Sequence, residues 1–185
     1  MTPAEYLAWE REQVEKHQLI DGEVFAMAGG SPRHNWLSAA VLGVLRAALK
    51  GGGCSPFSSD QKIYVPSRTS DFVYPDASVV CGKVRLHQGT TDVIENPRAV
   101  VEVLSKSTES YDRGEKWRAY QRIATLDDYV LVSQSVPCIE HFAREPDGSW
   151  RYRTVGPGAR LEISVGAVFI VDETFDGALE VPGDD

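Results

Sequence analysis

The sequence predicts an α/β (α+β) fold in which a central mixed β-sheet is flanked by helices, and three observations carry that expectation. Residues 71–80 (DFVYPDASVV) and 98–105 (RAVVEVLS) are apolar at nearly every position, as strands covered on both faces are. Residues 32–50 and 111–124 instead repeat apolar side chains at helical spacing. Pro, Gly and Asp-Gly steps punctuate the chain between these segments. With 185 residues, 42% hydrophobic and 25% charged, the chain suits one domain spanning residues 1–185.

The elements follow in order. Thr2, Pro3 and Glu5 form a capping-box signal, so a first helix is expected to about Lys16. The alternating segment QLIDGEVFAMA, centred on Asp21-Gly22, predicts a hairpin with a type I′ turn. Helix and hairpin, residues 1–30, are expected to pack onto the main body. Ser31 caps a second helix with Pro32 at its first position and Leu37, Val41, Val44, Leu45 and Ala48 along one stripe, and Gly51 to Gly53 stop it. Strands are expected at QKIYV, 71–80, 98–105 and DDYVLVS. A hairpin is expected with Pro146, Asp147 and Gly148 in its turn, and late extended segments in EISVGAVFIVDE. The stretch 111–124 reads as a helix that turns Trp117, Tyr120 and Ile123 inward.

Charge and cysteine content narrow the function classes. No apolar run approaches the ~20 residues that cross a bilayer, and the acidic start is unlike a secretory leader, so a soluble, cytoplasmic protein without membrane contact is expected. Cys54, Cys81 and Cys138 show no metal-type spacing and read as reduced structural thiols. The net charge of −8 is concentrated at the ends: residues 1–23 carry −4 and the acidic tail 172–185 carries −6, leaving +2 on the body between. A basic face for nucleic acid is therefore compatible with the acidic total.

Asp76 and Glu102 stand out because they interrupt the two most apolar strands. Alternation puts Asp76 on one side with Ser78 and Val80, and Glu102 on one side with Leu104. If the strands are neighbours, the carboxylates meet at one mouth of the sheet. Two such acids repel and resist desolvation unless a cation neutralises them, and an all-oxygen ligand set points to Mg²⁺, with Mn²⁺ as a substitute.

The runs YPDASVVCG and RAVVEVLSKSTESYDRGEKWRAYQRI, with DGEVFAMAGGSPRHN, SDQKIYV and DDYVLVSQ in the same order, closely resemble the Uma family of the PD-(D/E)XK nuclease superfamily. The resemblance spans nearly the whole chain and implies a restriction endonuclease-like core, a DNA substrate, a bound Mg²⁺ and a two-fold homodimer. It implies that Asp76 and Glu102 are the metal's side-chain ligands, joined by a backbone carbonyl such as that of Val103. The superfamily's lysine falls at Leu104, so the resemblance leaves the cation unplaced.

Lys116 on the next helix is the best substitute, although Asp112 and Lys116 also fit a simple intrahelical ion pair. Lys116→Met is expected to abolish cleavage while sparing folding. His34, in the first turn of the second helix, fits a phosphate contact, a base or a cap. Glu23 matches an acidic position of the family, and Asp60 and Gln61 are weaker candidates. The expected activity is metal-dependent hydrolysis of DNA phosphodiesters. The alternatives are a catalytically inactive nuclease-fold module that binds nucleic acid or protein, and metal-free glycoside hydrolysis by the carboxylate pair.

Overall fold

The computed structural model describes residues 1–27 and 29–184. Ala28, at the end of the expected hairpin segment, and Asp185, in the acidic tail, lie outside the described residues. Helix α1 (Pro3–Glu10) starts on the predicted capping box, with Thr2 Oγ1 accepting from the Glu5 N–H and Glu5 Oε2 accepting from the Thr2 N–H. It stops at Glu10 rather than near Lys16. The Glu10 carboxylate accepts the His17 N–H at 2.9 Å and the Tyr74 hydroxyl at 3.0 Å, which draws the chain straight into the hairpin. Strands β1 (His17–Ile20) and β2 (Glu23–Ala26) pair around Asp21 and Gly22, whose φ values of 49° and 84° are those a type I′ turn requires.

Helix α2 (Pro32–Ala48) is capped by Ser31 Oγ, which accepts the His34 N–H, and buries Leu37, Val41 and Leu45. Strands β3 (Cys54–Ser58), β4 (Lys62–Val65), β5 (Asp71–Val73), β6 (Ala77–Cys81), β7 (Val93–Ile94) and β8 (Ala99–Val103) follow. The segment 71–80 is thus two strands rather than one. Pro75 has no N–H to give a ladder, and the chain changes sheets across Tyr74, Pro75 and Asp76. The expected helix 111–124 is shorter and composite: α3 (Glu109–Tyr111), a π-helical turn Asp112–Lys116, and α4 (Trp117–Tyr120). Then come β9 (Asp128–Val132), the hairpin β10 (Ile139–Arg144)–β11 (Trp150–Val155), and the pair β12 (Arg160–Glu162)–β13 (Val168–Ile170). The acidic tail is more structured than its composition suggests. Helix α5 (Val171–Thr174) and a 3₁₀ turn Ala178–Glu180 bury Val171, Phe175 and Ala178.

The strands form a six-stranded mixed sheet, β11-β10-β9-β8-β6-β3, a five-stranded mixed sheet, β2-β1-β5-β4-β7, and the separate β12–β13 pair. In the first sheet β6 and β8 are antiparallel neighbours, as expected of the two most apolar segments, and β8 runs parallel to β9. Its faces differ. Ala77, Val79, Ala99, Val101, Val103, Val130 and Val132 pack with α2 and the C-terminal elements, whereas Val80, Val100, Leu104, Tyr129 and Leu131 pack with Tyr120, Ile123 and the second sheet. Glu102 alternates with Val100 and Leu104, so it projects into the layer between the sheet and the 109–120 segment. Among the described residues no helix is long and apolar enough to cross a membrane.

The cysteine expectation is overturned. Cys54 and Cys81 are directly opposed across β3 and β6 and form a disulfide, leaving Cys138 as the free thiol. A pairing across 27 residues leaves no local spacing signal, so only strand register reveals it. Thiol titration of the unfolded, unreduced protein should find one thiol rather than three. Reduction should lower unfolding stability by about 2–4 kcal/mol, read from urea midpoints with and without reductant.

Candidate active site

Asp76 stands at the break between β5 and β6, where the missing ladder partner is replaced by its own side chain. Its Oδ2 accepts the Val103 N–H at 2.7 Å and lies 3.3 Å from His34 Nε2. The carbonyl of Val103 leaves β8 on the same edge as that N–H, because the two groups of one strand residue point the same way. Glu102, one residue earlier and 4% exposed, uses Oε1 to accept the Tyr120 hydroxyl and the Lys116 ammonium, both at 2.7 Å. Lys116 Nζ is also 3.4 Å from Asp112 Oδ1, and the Tyr129 hydroxyl donates to the Asp112 carbonyl at 3.1 Å, which pins the π-turn. Asp76, Glu102, Val103, Lys116, Asp112 and His34 all line one cavity of about 400 Å³.

Lys116 is the lysine that stands beside Glu102. Its ammonium reaches Glu102 from the helix, while Leu104 is 4% exposed and fills the core below. The intrahelical ion pair with Asp112 is also formed, so the two readings of Lys116 describe one three-membered cluster. Arg113 is turned away, bound to Glu140 and Glu109. Glu23 lines an adjacent groove rather than this cavity. Asp60 pairs with Lys16 at the surface, and Gln61 bonds the carbonyls of Lys62 and Asp92; neither lines the cavity.

Electrostatics follow from burial and the excess of acids. Burial pushes the Glu102 carboxyl up to about 7; Lys116 opposes this, while Asp112 and Asp76 add to it. Burial would lower the Lys116 pKa, but the charges of Glu102 and Asp112 outweigh it and hold the ammonium above its ordinary range. His34 is lowered by burial and raised more by its bond to Asp76 and by the charges of Asp76, Glu102 and Asp184. Four carboxylates, those of Asp76, Glu102, Asp112 and Asp184, line the cavity with two permanent cations, Lys106 and Lys116, a deficit of positive charge that a divalent ion would offset.

The donor set fits such an ion. Among the described residues, neither Asp76 Oδ1 nor Glu102 Oε2 accepts a hydrogen bond, and the Val103 carbonyl supplies a third oxygen. Among the described residues no group of three or more His, Cys, Asp or Glu forms a self-sufficient metal cage. Mg²⁺ takes one or two carboxylates and completes its shell with water and substrate phosphate, so a sparse set is what it needs.

Asp112, Tyr120 and Tyr129 complete the site beyond its expected residues. Asp112, Lys116 and Tyr120 recur every four residues, a stripe that would have placed Tyr120 beside the lysine. Tyr129 carried no comparable signal, since an aromatic within a buried strand reads as core.

Fold and cavity together define a nuclease-type chain of the restriction endonuclease-like class. Residues 3–169 match the family model described as "Uma2: Putative restriction endonuclease", and the chain belongs to that family. It is 40% identical over 178 residues to "Uncharacterized protein slr1290" of Synechocystis sp., covering 96% of this chain and 92% of that one. A second Synechocystis protein, "Uncharacterized protein sll1609", is 30% identical over 165 residues, 89% and 93% of the two chains. The crystal structure of "a putative nuclease belonging to DUF820" from Anabaena variabilis superposes with a TM-score of 0.78 at 13% identity, covering 97% of this chain and 99% of that one. At that identity the likeness shows the fold.

The buried cluster corrects one expectation about folding. Lys116→Met strands Glu102 and Asp112 without their cation, and breaking a buried pair from one side costs about 3–5 kcal/mol. Urea unfolding should show a loss of that size, and Lys116→Met combined with Glu102→Gln should recover part of it.

Proposed function

We propose that this protein hydrolyses DNA phosphodiester bonds with Mg²⁺ as cofactor and Mn²⁺ as a working substitute. The observation that carries the reading is the Lys116 ammonium 2.7 Å from Glu102, in a cavity that Asp76 and the strand edge of Val103 also line. Asp76, Glu102 and the Val103 carbonyl would hold the ion. When bound, it supplies a Lewis acid for the phosphoryl oxygen and lowers the pKa of an attacking water.

The chain's own residues do the rest. Lys116 is held charged by two carboxylates, so it offers positive charge to the phosphoryl oxygens as they become more negative. Its raised pKa favours this charged role over proton acceptance. Tyr120 and Asp112 fix the positions of Glu102 and Lys116, and His34 orients Asp76. The inactive-module alternative draws on Leu104 and on the acidic total charge, whereas the helix-borne ammonium beside Glu102 supports the hydrolytic reading. Double-strand cleavage needs two such sites, so a two-fold dimer is the proposed working form.

Supercoiled DNA incubated with purified protein should be nicked with Mg²⁺ or Mn²⁺ and left intact with EDTA. Asp76→Ala and Glu102→Gln should each lose at least about a hundredfold in rate, the scale of removing a group that stabilises transition-state charge. Failure of the wild type to nick, with intact metal binding, would favour the inactive module.

Calorimetric titration with Mn²⁺ should show affinity falling as pH drops below about 7. The raised Glu102 pKa means a proton occupies the carboxylate at lower pH and must leave when the ion binds. A flat profile between pH 6 and 8 would place the ion elsewhere. Light scattering at working concentration should give twice the chain mass, 20.4 kDa per chain; a monomer would count against the dimer.

A further inference from the structure

Glu23 is left without a task by the cavity just described, and its surroundings give it one. Strands β1 and β2 pair in a register that opposes Gln18 to Phe25 and Ile20 to Glu23. Strand alternation sends these four side chains to one face, while Leu19 and Val24 on the other face pack with Tyr6 and Phe72. The outer face is a wall of a second cavity, about 560 Å³, closed opposite by Thr108, Tyr111 and Glu115. Gln18, Ser107, Thr108 and Tyr111 line both this cavity and the one holding Asp76 and Glu102, so the two are continuous.

We propose that this hairpin face is a base-recognition subsite, taking an unpaired guanine adjacent to the phosphate that is cleaved. The proposal rests on the hydrolytic reading for the phosphate and on separate observations for the base. The catalytic cavity sets Lys116, Lys106 and His34 among the carboxylates of Asp76, Glu102, Asp112 and Asp184, while the hairpin cavity carries Asp21, Glu23 and Glu115 with no lysine or arginine. Phosphate has cationic partners only in the first and is repelled from the second.

A donor-bearing, flat, uncharged group is what the second cavity accepts. Phe25 is 47% exposed on its wall, an aromatic face open for stacking. Beside it, Gln18 Oε1 is a buried acceptor with no partner among the described residues. Glu23 stands two residues before Phe25 on the same strand face, with acceptor oxygens only. Guanine presents two adjacent donors, N1–H and the 2-amino group, that a carboxylate can accept together; the other bases offer at most one donor type on that edge. Those donors are engaged in a duplex, so the base must be single-stranded or extruded.

The test uses single-stranded oligothymidylates carrying one central guanine, with cut positions mapped in Mn²⁺ for wild type, Glu23→Gln and Phe25→Ala. Wild type should cut beside the guanine. Glu23→Gln should lose that positional preference by about tenfold, and Phe25→Ala should lower all cutting by about tenfold. Even cutting by wild type, or unchanged patterns in both variants with native circular dichroism, would overturn the subsite and leave the hydrolytic reading standing. If wild type cuts nothing, metal-free calorimetry with deoxyguanosine and thymidine 5′-monophosphates decides. Tighter guanosine binding that Glu23→Gln removes supports the subsite, and equal binding of the two nucleotides overturns it.

Discussion

Lys116 holds its ammonium 2.7 Å from Glu102 and 3.4 Å from Asp112 with almost no solvent contact. Taking such charges out of water costs several kcal/mol per ion, and only close pairing with further hydrogen bonds offsets it. Much of the surrounding structure meets that demand. Tyr120 donates to Glu102, Tyr129 anchors the Asp112 carbonyl, and β8 is paired on both edges, with β6 and β9. The acids still outnumber the permanent cation, so the cluster is stable as protein yet open to a further positive ion.

Position 104 shows how the charge is apportioned between elements. A lysine there would share the Glu102 face of β8 but would leave its stem where Val100, Tyr120, Ile123 and Leu131 now pack. Leu104 keeps that layer apolar, and the ammonium arrives from the opposite side of the same layer. The strand keeps its core-forming role and the helix carries the charge.

The sequence disclosed those features that depend on local chemistry. Capping at Thr2 and Ser31, the Asp21-Gly22 turn, and the neighbouring strands with Asp76 and Glu102 were legible because each rests on residue type and short spacing. What escaped depends on register or on contacts distant in sequence. The Cys54–Cys81 bond needs the β3–β6 alignment, and the early end of α1 needs the Glu10 contacts with His17 and Tyr74. Glu23 is legible as an acid of note but its cavity is not, since the direction of a hairpin face is set by what its other face buries.

The π-turn from Asp112 to Lys116 has a consequence for how this chain can change over generations. A π-turn holds one residue more than the α-helix would between the same flanking turns. Loss of a single codon there would restore ordinary winding and leave the flanking turns in place, so Trp117 and Tyr120 would keep the aromatic stack they form with Tyr129. The turn itself would change, and a deletion between Asp112 and Lys116 would cut from four residues to three the spacing at which both meet beside Glu102. The exposed Glu115 side chain can vary far more freely than the number of residues in that turn, so related chains that keep this arrangement should differ here by replacement and not by gaps.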